Sequence, residues 1–403
     1  MSVQELRTWS ERFAARARVD LGGDIASILA LGNATEVITF SGGFPDPATF
    51  PGPAIGDLLG ELLREGDTSP LQYSPTEGLA STRAHLRRRV GRLEGLEPDE
   101  DELIVTSGGI EALGMLAKTF VDPGDVVALE APTYLGAVMS FRSFQARVVG
   151  VPLDEEGLRV DALADLLAGG LRPKLLYTIP DHQNPAGVTL SAERREALVD
   201  LARRHGVLVV EDVAYRELGF DDPPLPSLWS LAPDAVVQIG TFSKTFFPGV
   251  RLGWAAGPRE VVAQMVSAKQ LSDQCTGALG QRLVEEYDRR GLLDEQVRRA
   301  RDLYRRRCAL MLGALEEHMG ESAAWTRPRG GFFCWVTLPP SVDATALAPE
   351  ALARGVAYVP GFSFFPEGTG HNTLRLSFSR VADDRIGEGI ARLAELFAGR
   401  LPS

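Results

Sequence analysis

The chain has 403 residues, 44% hydrophobic and 24% charged, which suits a large globular domain with a second lobe. With 42 basic and 54 acidic residues its formal net charge is −12, which argues against nucleic-acid or anionic-membrane partners, since both are held by clustered cations. Cys275, Cys308 and Cys334 are too few and too scattered for a disulfide framework or a zinc site, so a reduced cytoplasm is expected; no signal-peptide h-region and no run of 18 apolar residues occurs.

In chain order, an N-terminal helical stretch (Met1 to Asp20) leads to a Gly/Pro-rich passage, Ser41 to Pro53, that reads as an ordered loop. From about residue 100, short apolar runs alternate with helical stretches, the signature of a mostly parallel sheet in an α/β fold. The runs are Leu103 to Thr106, Val126 to Leu129, Lys174 to Ile179, Val207 to Val210 and Ala235 to Ile239. Each ends in a polar or glycine cluster: Thr106-Ser107-Gly108-Gly109, Pro132-Thr133-Tyr134, Asp181-His182-Gln183-Asn184, Glu211-Asp212 and Thr241-Phe242-Ser243-Lys244. Ligands of open α/β sheets bind beyond the carboxyl ends of the strands, so these clusters are expected to converge. A long amphipathic stretch, Leu293 to Met319, then opens a smaller α+β lobe with strand-like pieces at Gly331 to Val336 and Thr373 to Ser379 and a final helix over Asp383 to Phe397. The expected division is an arm over 1–45, a large lobe over 46–290 and a small lobe over 291–403.

The chemistry starts from the lysines, of which there are four. Lys118 reads as mid-helix, Lys174 opens a strand and Lys269 reads as part of a polar helix face. Lys244 alone follows a buried strand and is flanked by hydroxyls, in Gly240 to Trp254. It is the candidate nucleophilic amine. Arg251 follows it after the Pro248-Gly249 turn, where a guanidinium beside Thr241 and Ser243 could grip a phosphate. The Ser107-Gly108-Gly109 turn, opening a helix near Ile110, would offer backbone N–H groups to the same anion at the positive end of a helix dipole. Asp212 ends a strand that reads as buried on both faces, and a buried carboxylate needs a partner. A protonated pyridine nitrogen would be one. Tyr215 and Asn184, the latter before Pro185-Ala186-Gly187, could reach a ring oxygen, and Tyr134 could stack on a ring.

The ordered set SGG, PTY, NPAG, DVAY, SK and R over residues 106 to 251 resembles the aminotransferases of the pyridoxal-phosphate (PLP) transferase fold type I. His182 to Val188 is most similar to the kynurenine/2-aminoadipate branch and to the aminotransferase-like domain of MocR-type regulators. The likeness extends back through Leu71 to Leu79 and Ile38 to Pro47, and forward to Val359 to Pro366 and Leu374 to Ser379. It implies Lys244 as Schiff base and proton shuttle, Asp212 on the pyridine nitrogen, and Asn184 and Tyr215 on the ring oxygen. Ser107, Gly108, Gly109, Ile110, Thr241, Ser243 and Arg251 would surround the phosphate, with Tyr134 stacked on the ring and Ala214 packed behind it. Arg375, Asn184 and the backbone at Gly43 would take the substrate carboxylate. Tyr73 would reach the phosphate of a neighbouring subunit, making the enzyme a homodimer with shared sites. His182 carries no catalytic assignment.

The implied activity is transfer of an amino group from an L-amino acid to a 2-oxo acid. The rival on the same fold is a PLP-dependent decarboxylase, lyase or cyclase. A non-catalytic PLP-sensing regulator is disfavoured by the acidic charge and by the short segment before Ser41. In 2-aminoadipate-type enzymes an arginine ahead of the SGG loop pairs with the acidic substrate side chain; here Ala26, in Asp24 to Leu31, aligns with it, and no cation lies between Gly22 and Thr49. With Phe44, Phe362 and Phe364 near the mouth, the expected donor is neutral or aromatic.

Overall fold

The computed structural model describes residues 9–18, 37–64 and 68–400. Fourteen strands are described: β1 (Ile38–Thr39), β2 (Leu103–Thr106), β3 (Val126–Ala131), β4 (Arg147–Asp154), β5 (Gly157–Leu158), β6 (Pro173–Thr178), β7 (Leu208–Asp212), β8 (Val236–Thr241), β9 (Gly253–Ala256), β10 (Ala324–Trp325), β11 (Phe333–Thr337), β12 (Val356–Ala357), β13 (Val359–Pro360) and β14 (Thr373–Ser377). Eight of them form one sheet in the order β2-β9-β8-β7-β6-β3-β4-β5. β4, β3, β6, β7 and β8 run parallel; β9 is antiparallel to both β8 and β2. All five predicted runs are strands of this sheet. Because β2 lies two antiparallel steps from β8, it points the same way, and all five carboxyl ends share one edge.

The central strands are short β-branched runs, such as Leu208 to Asp212, buried along nearly their whole length because helices cover both faces. Each fully buried Val or Leu contributes about 1.5–3 kcal/mol relative to exposure. β4 and β9 were not among the predicted runs. Gly150 and Pro152 interrupt the pattern of β4, and Gly253 to Ala256 is too short and too poor in branched residues to stand out.

A 27-residue helix, Leu292–His318, leads into a four-stranded antiparallel sheet, β10-β11-β14-β13, backed by the helix Asp383–Ala398. The Ser41 loop is tied to this sheet. Ser377 N–H donates to Phe40 O (2.9 Å), Ser379 Oγ to Phe44 O (2.6 Å), and Arg307 Nη1 to Asp46 Oδ2 (2.6 Å). Gly187 packs the turn after Asn184 against this sheet. Its φ is +72°, and a Cβ there would lie 2.4 Å from Phe333 O. Among the described residues no helix is long and apolar enough to cross a membrane, and no cluster of potential metal ligands occurs.

Candidate active site

Lys244 sits three residues past the end of β8, half-buried, with Nζ donating to Gly43 O at 2.9 Å. Its ammonium lies 5.9 Å from the Tyr215 ring centroid and 6.0 Å from that of Phe332. Burial, then the neighbouring Arg375 guanidinium, lowers its pKa to about 8. An amine so placed is partly neutral near physiological pH, as a nucleophile and base requires.

Asp212, the last residue of β7, is buried. Its Oδ2 accepts from Tyr177 Oη at 2.8 Å and its Oδ1 from Ala214 N–H at 3.1 Å. Burial raises its pKa above the ordinary carboxylate value, so a cationic partner would be strongly favoured there.

Arg375, on β14, is the opposite pole. Its Nη1 donates to Asn184 Oδ1 (2.9 Å) and its Nη2 to Ser41 O (2.7 Å), while its buried Nε has no protein partner. The guanidinium lies 4.3 Å from the Phe333 ring centroid and 4.8 Å from that of Phe364. Burial lowers its pKa to about 10, leaving it charged, and among the described residues it forms no ion pair. A buried, unpaired guanidinium with a spare donor suits a carboxylate.

At the end of β2, Gly108 has φ +95°, and a Cβ there would lie 2.9 Å from Arg251 Nη2. Only glycine fits that conformation so close to the arginine. Arg251 donates to Ser107 O (3.3 Å) and Ser243 Oγ (3.4 Å), and Thr241 Oγ1 donates to Ser243 Oγ (3.0 Å). The helix Gly109–Phe120 begins here, and its first-turn N–H groups lack intrahelical acceptors. Ile110 is among the exposed large apolar residues. Hydroxyls, guanidinium and helix start thus converge, the set of donors an anion calls for.

Tyr215 is buried edge-on to Phe332 and Phe333, at 5.4 and 5.7 Å between centroids, and burial raises its pKa. Tyr134 caps the helix Leu135–Ser143, half-buried, with its ring over Gly136, where a Cβ would meet Tyr134 Oη at 2.6 Å. Tyr73 stands 76% exposed. His182 is buried, packed against Gly219, Gly330 and Gly331, and burial lowers its pKa to about 4, so it is neutral. Phe364 stands beside Arg375, whereas Phe362 stacks on His371 at 4.7 Å. Ala26 and its segment lie outside the described residues.

Two lysine readings need correction. Lys269 does not lie on a polar face: it is fully buried, and its Nζ donates to both carboxylate oxygens of Glu111 (2.7 and 2.8 Å) and of Asp273 (2.8 and 2.9 Å). Lys118 is in the last turn of its helix, not the middle, and Nζ donates to Ala268 O.

Sequence reasoning missed three polar residues. Tyr177 lies within the apolar run Lys174 to Ile179, and only its register on β6, paired with Val210 two residues before Asp212, reveals its part. Glu130 and Gln183 were also missed. Glu130 accepts from Thr178 Oγ1, Ile179 N–H and Gln183 Nε2, and Gln183 reaches back to Pro132 O and Ala186 N–H. Together they shape the turn that carries Asn184. Burial raises the Glu130 carboxyl to about 7.

Residues 59–393 match the family described as aminotransferase class I and II, and the chain belongs to it. It is 37% identical over 392 residues to the aromatic-amino-acid aminotransferase 1 of Thermococcus litoralis, covering 96% of this chain and 94% of that one. It is 39% identical over 398 residues to the 2-aminoadipate transaminase of Thermus thermophilus, covering 98% of each. Among solved structures, the α-aminoadipate aminotransferase of Thermus thermophilus, complexed with N-(5'-phosphopyridoxyl)-L-leucine, superposes with a TM-score of 0.91 at 38% identity, covering 97% of this chain and 98% of that one. The protein is a PLP-dependent aminotransferase of fold type I that takes amino acids and 2-oxo acids as substrates. The site fits PLP on its own terms: the glycine-lined arginine cradle suits a phosphate, and the buried Asp212 suits a cationic ring nitrogen.

Proposed function

We propose that the residues gathered at the carboxyl edge of the large sheet perform transamination on a neutral or aromatic L-amino acid, in a cytoplasmic homodimer whose lobes divide near residue 290. PLP bound there supplies the electron sink that lets the substrate Cα–H bond break. Gly108, Gly109, Ile110, Thr241, Ser243 and Arg251 would hold its phosphate, and Lys244 would carry it through Nζ; Ser107, expected beside them, gives its N–H to Glu111 and its hydroxyl to Asp273 and so shapes the turn instead. Asp212, braced by Tyr177 and the Ala214 N–H, keeps the ring nitrogen protonated. Asn184 and Tyr215 orient the ring oxygen, Tyr134 and Ala214 confine the ring, and Arg375 takes the substrate carboxylate with Asn184 and the backbone at Gly43. Neutral Lys244 Nζ would be the group placed to take up and hand on the substrate Cα proton. The observation that carries this reading is Arg375: a buried guanidinium with a spare donor, within the same site as Lys244 and Asp212.

The donor class rests on the surroundings of Arg375. Phe333 and Phe364 flank its guanidinium, and in sequence no cation lies between Gly22 and Thr49. A distal substrate carboxylate stripped of water without a partner loses at least one charge-assisted bond, roughly 1.5–3 kcal/mol. Apolar and aromatic side chains meet no such cost. The relatives differ on this point, one named for aromatic amino acids and one for 2-aminoadipate. The test is kcat/KM for phenylalanine, leucine and methionine against 2-aminoadipate, with 2-oxoglutarate as acceptor. A preference for 2-aminoadipate refutes the donor class while leaving transamination intact.

A further inference from the structure

Beside the phosphate cradle lies a charge cluster, built on the buried Lys269 and open to solvent at Asp273, whose lysine and carboxylates have no part in the mechanism above. Ser107, at the mouth of the cradle, is held at two of its polar groups by carboxylates: its N–H donates to Glu111 Oε2 at 2.5 Å, and its Oγ donates to Asp273 Oδ2 at 2.8 Å. Thr276 Oγ1 lies 3.4 Å from the same hydroxyl, and the Ser107 carbonyl accepts from Arg251. Lys269 joins both carboxylates from below with four contacts of 2.7–2.9 Å and is wholly buried, so its charge is directed at this cluster alone. The turn after its helix wraps it, with the N–H groups of Ser272, Asp273 and Gln274 all donating to Lys269 O.

Two carboxylates next to a phosphate position repel a dianion, and partial burial weakens the screening of that repulsion. A cation fixed between them reduces that repulsion. We propose that Lys269 is a positioning residue for the cofactor phosphate: its single charge, shared between Glu111 and Asp273, offsets one of their two negative charges, so that they clamp Ser107 with less opposition to the dianion. The inference rests on the assignment of residues 108–110 and Arg251 to the phosphate.

The test compares affinities of the apoenzyme for PLP and for pyridoxal, which lacks the phosphate, by absorbance titration. Lys269→Met is expected to weaken PLP about tenfold or more while changing pyridoxal less than about twofold, because the uncompensated charge acts on the phosphate. Adding Glu111→Gln to Lys269→Met should restore much of the PLP affinity. Equal loss of both ligands, or an unchanged ratio, overturns the proposal and leaves Lys269 a purely structural residue. Should Lys269→Met fail to fold, Glu111→Gln alone decides: it should tighten PLP relative to pyridoxal, and an unchanged ratio again overturns the proposal. Arg251→Ala provides the separate control. If it spares PLP relative to pyridoxal, the cradle assignment itself fails, whatever Lys269 does.

Discussion

At the scale of single residues, the site is a set of polar groups whose ordinary chemistry is shifted by burial. Lys244→Ala should abolish both turnover and the visible absorption of bound cofactor while leaving the chain folded, as circular dichroism would show. Lys244 also makes a pH prediction. Its folded pKa is lowered to about 8, whereas in the unfolded chain it stays near the ordinary lysine value of 10.5. Between these values the unfolded chain binds the extra proton, so this residue makes apoenzyme stability rise with pH there. Below about pH 8 both states hold the proton and the slope vanishes. Denaturant unfolding at several pH values should show that rise in the wild type and its absence in Lys244→Met. Asp212→Ala should slow proton abstraction by about 3 kcal/mol or more, with Asp212→Glu milder. Tyr177→Phe takes one donor from the buried carboxylate and should cost about 1–3 kcal/mol, read as a lower kcat with the cofactor still bound.

At the scale of elements, position comes from strand ends and from the turns that follow them. β2, β3, β6, β7 and β8 stop on one edge, and each hands a polar residue to the same space. The turns are narrow for steric reasons. Gly108→Ala puts a Cβ 2.9 Å from Arg251 Nη2 in a backbone conformation with φ +95°, so the arginine must move. Strain of this kind costs on the order of 1–3 kcal/mol, and dialysis against buffer should strip PLP from the variant roughly tenfold faster.

At the scale of the whole molecule, the eight-stranded sheet supplies Lys244, Asp212 and the Gly108–Arg251 cradle, and the four-stranded sheet supplies Arg375 with the tethered Ser41 loop. The hydrogen bonds from Lys244 to Gly43 O and from Arg375 to Asn184 cross between them. In the proposed homodimer, Tyr73, 76% exposed on one chain, completes the phosphate site of its partner. Tyr73→Phe should then raise the PLP dissociation constant, and wild-type activity should fall on dilution in step with dissociation seen by sedimentation. A fully active monomer contradicts this.

The sequence alone determined the residues whose chemistry has few substitutes: one lysine past a buried strand, one carboxylate ending a strand, and one arginine after a Pro-Gly turn. It also set the strands that carry them, because short branched apolar runs between turn residues allow little else. What it left open depends on partners far apart along the chain. Tyr177 becomes a support for Asp212 only through the pairing of β6 with β7, and Lys269 meets Glu111 across 158 positions because two helices pack together. A buried lysine and a surface lysine look the same in one dimension. Only tertiary packing removes water from one of them and fixes the two carboxylates that make its burial tolerable.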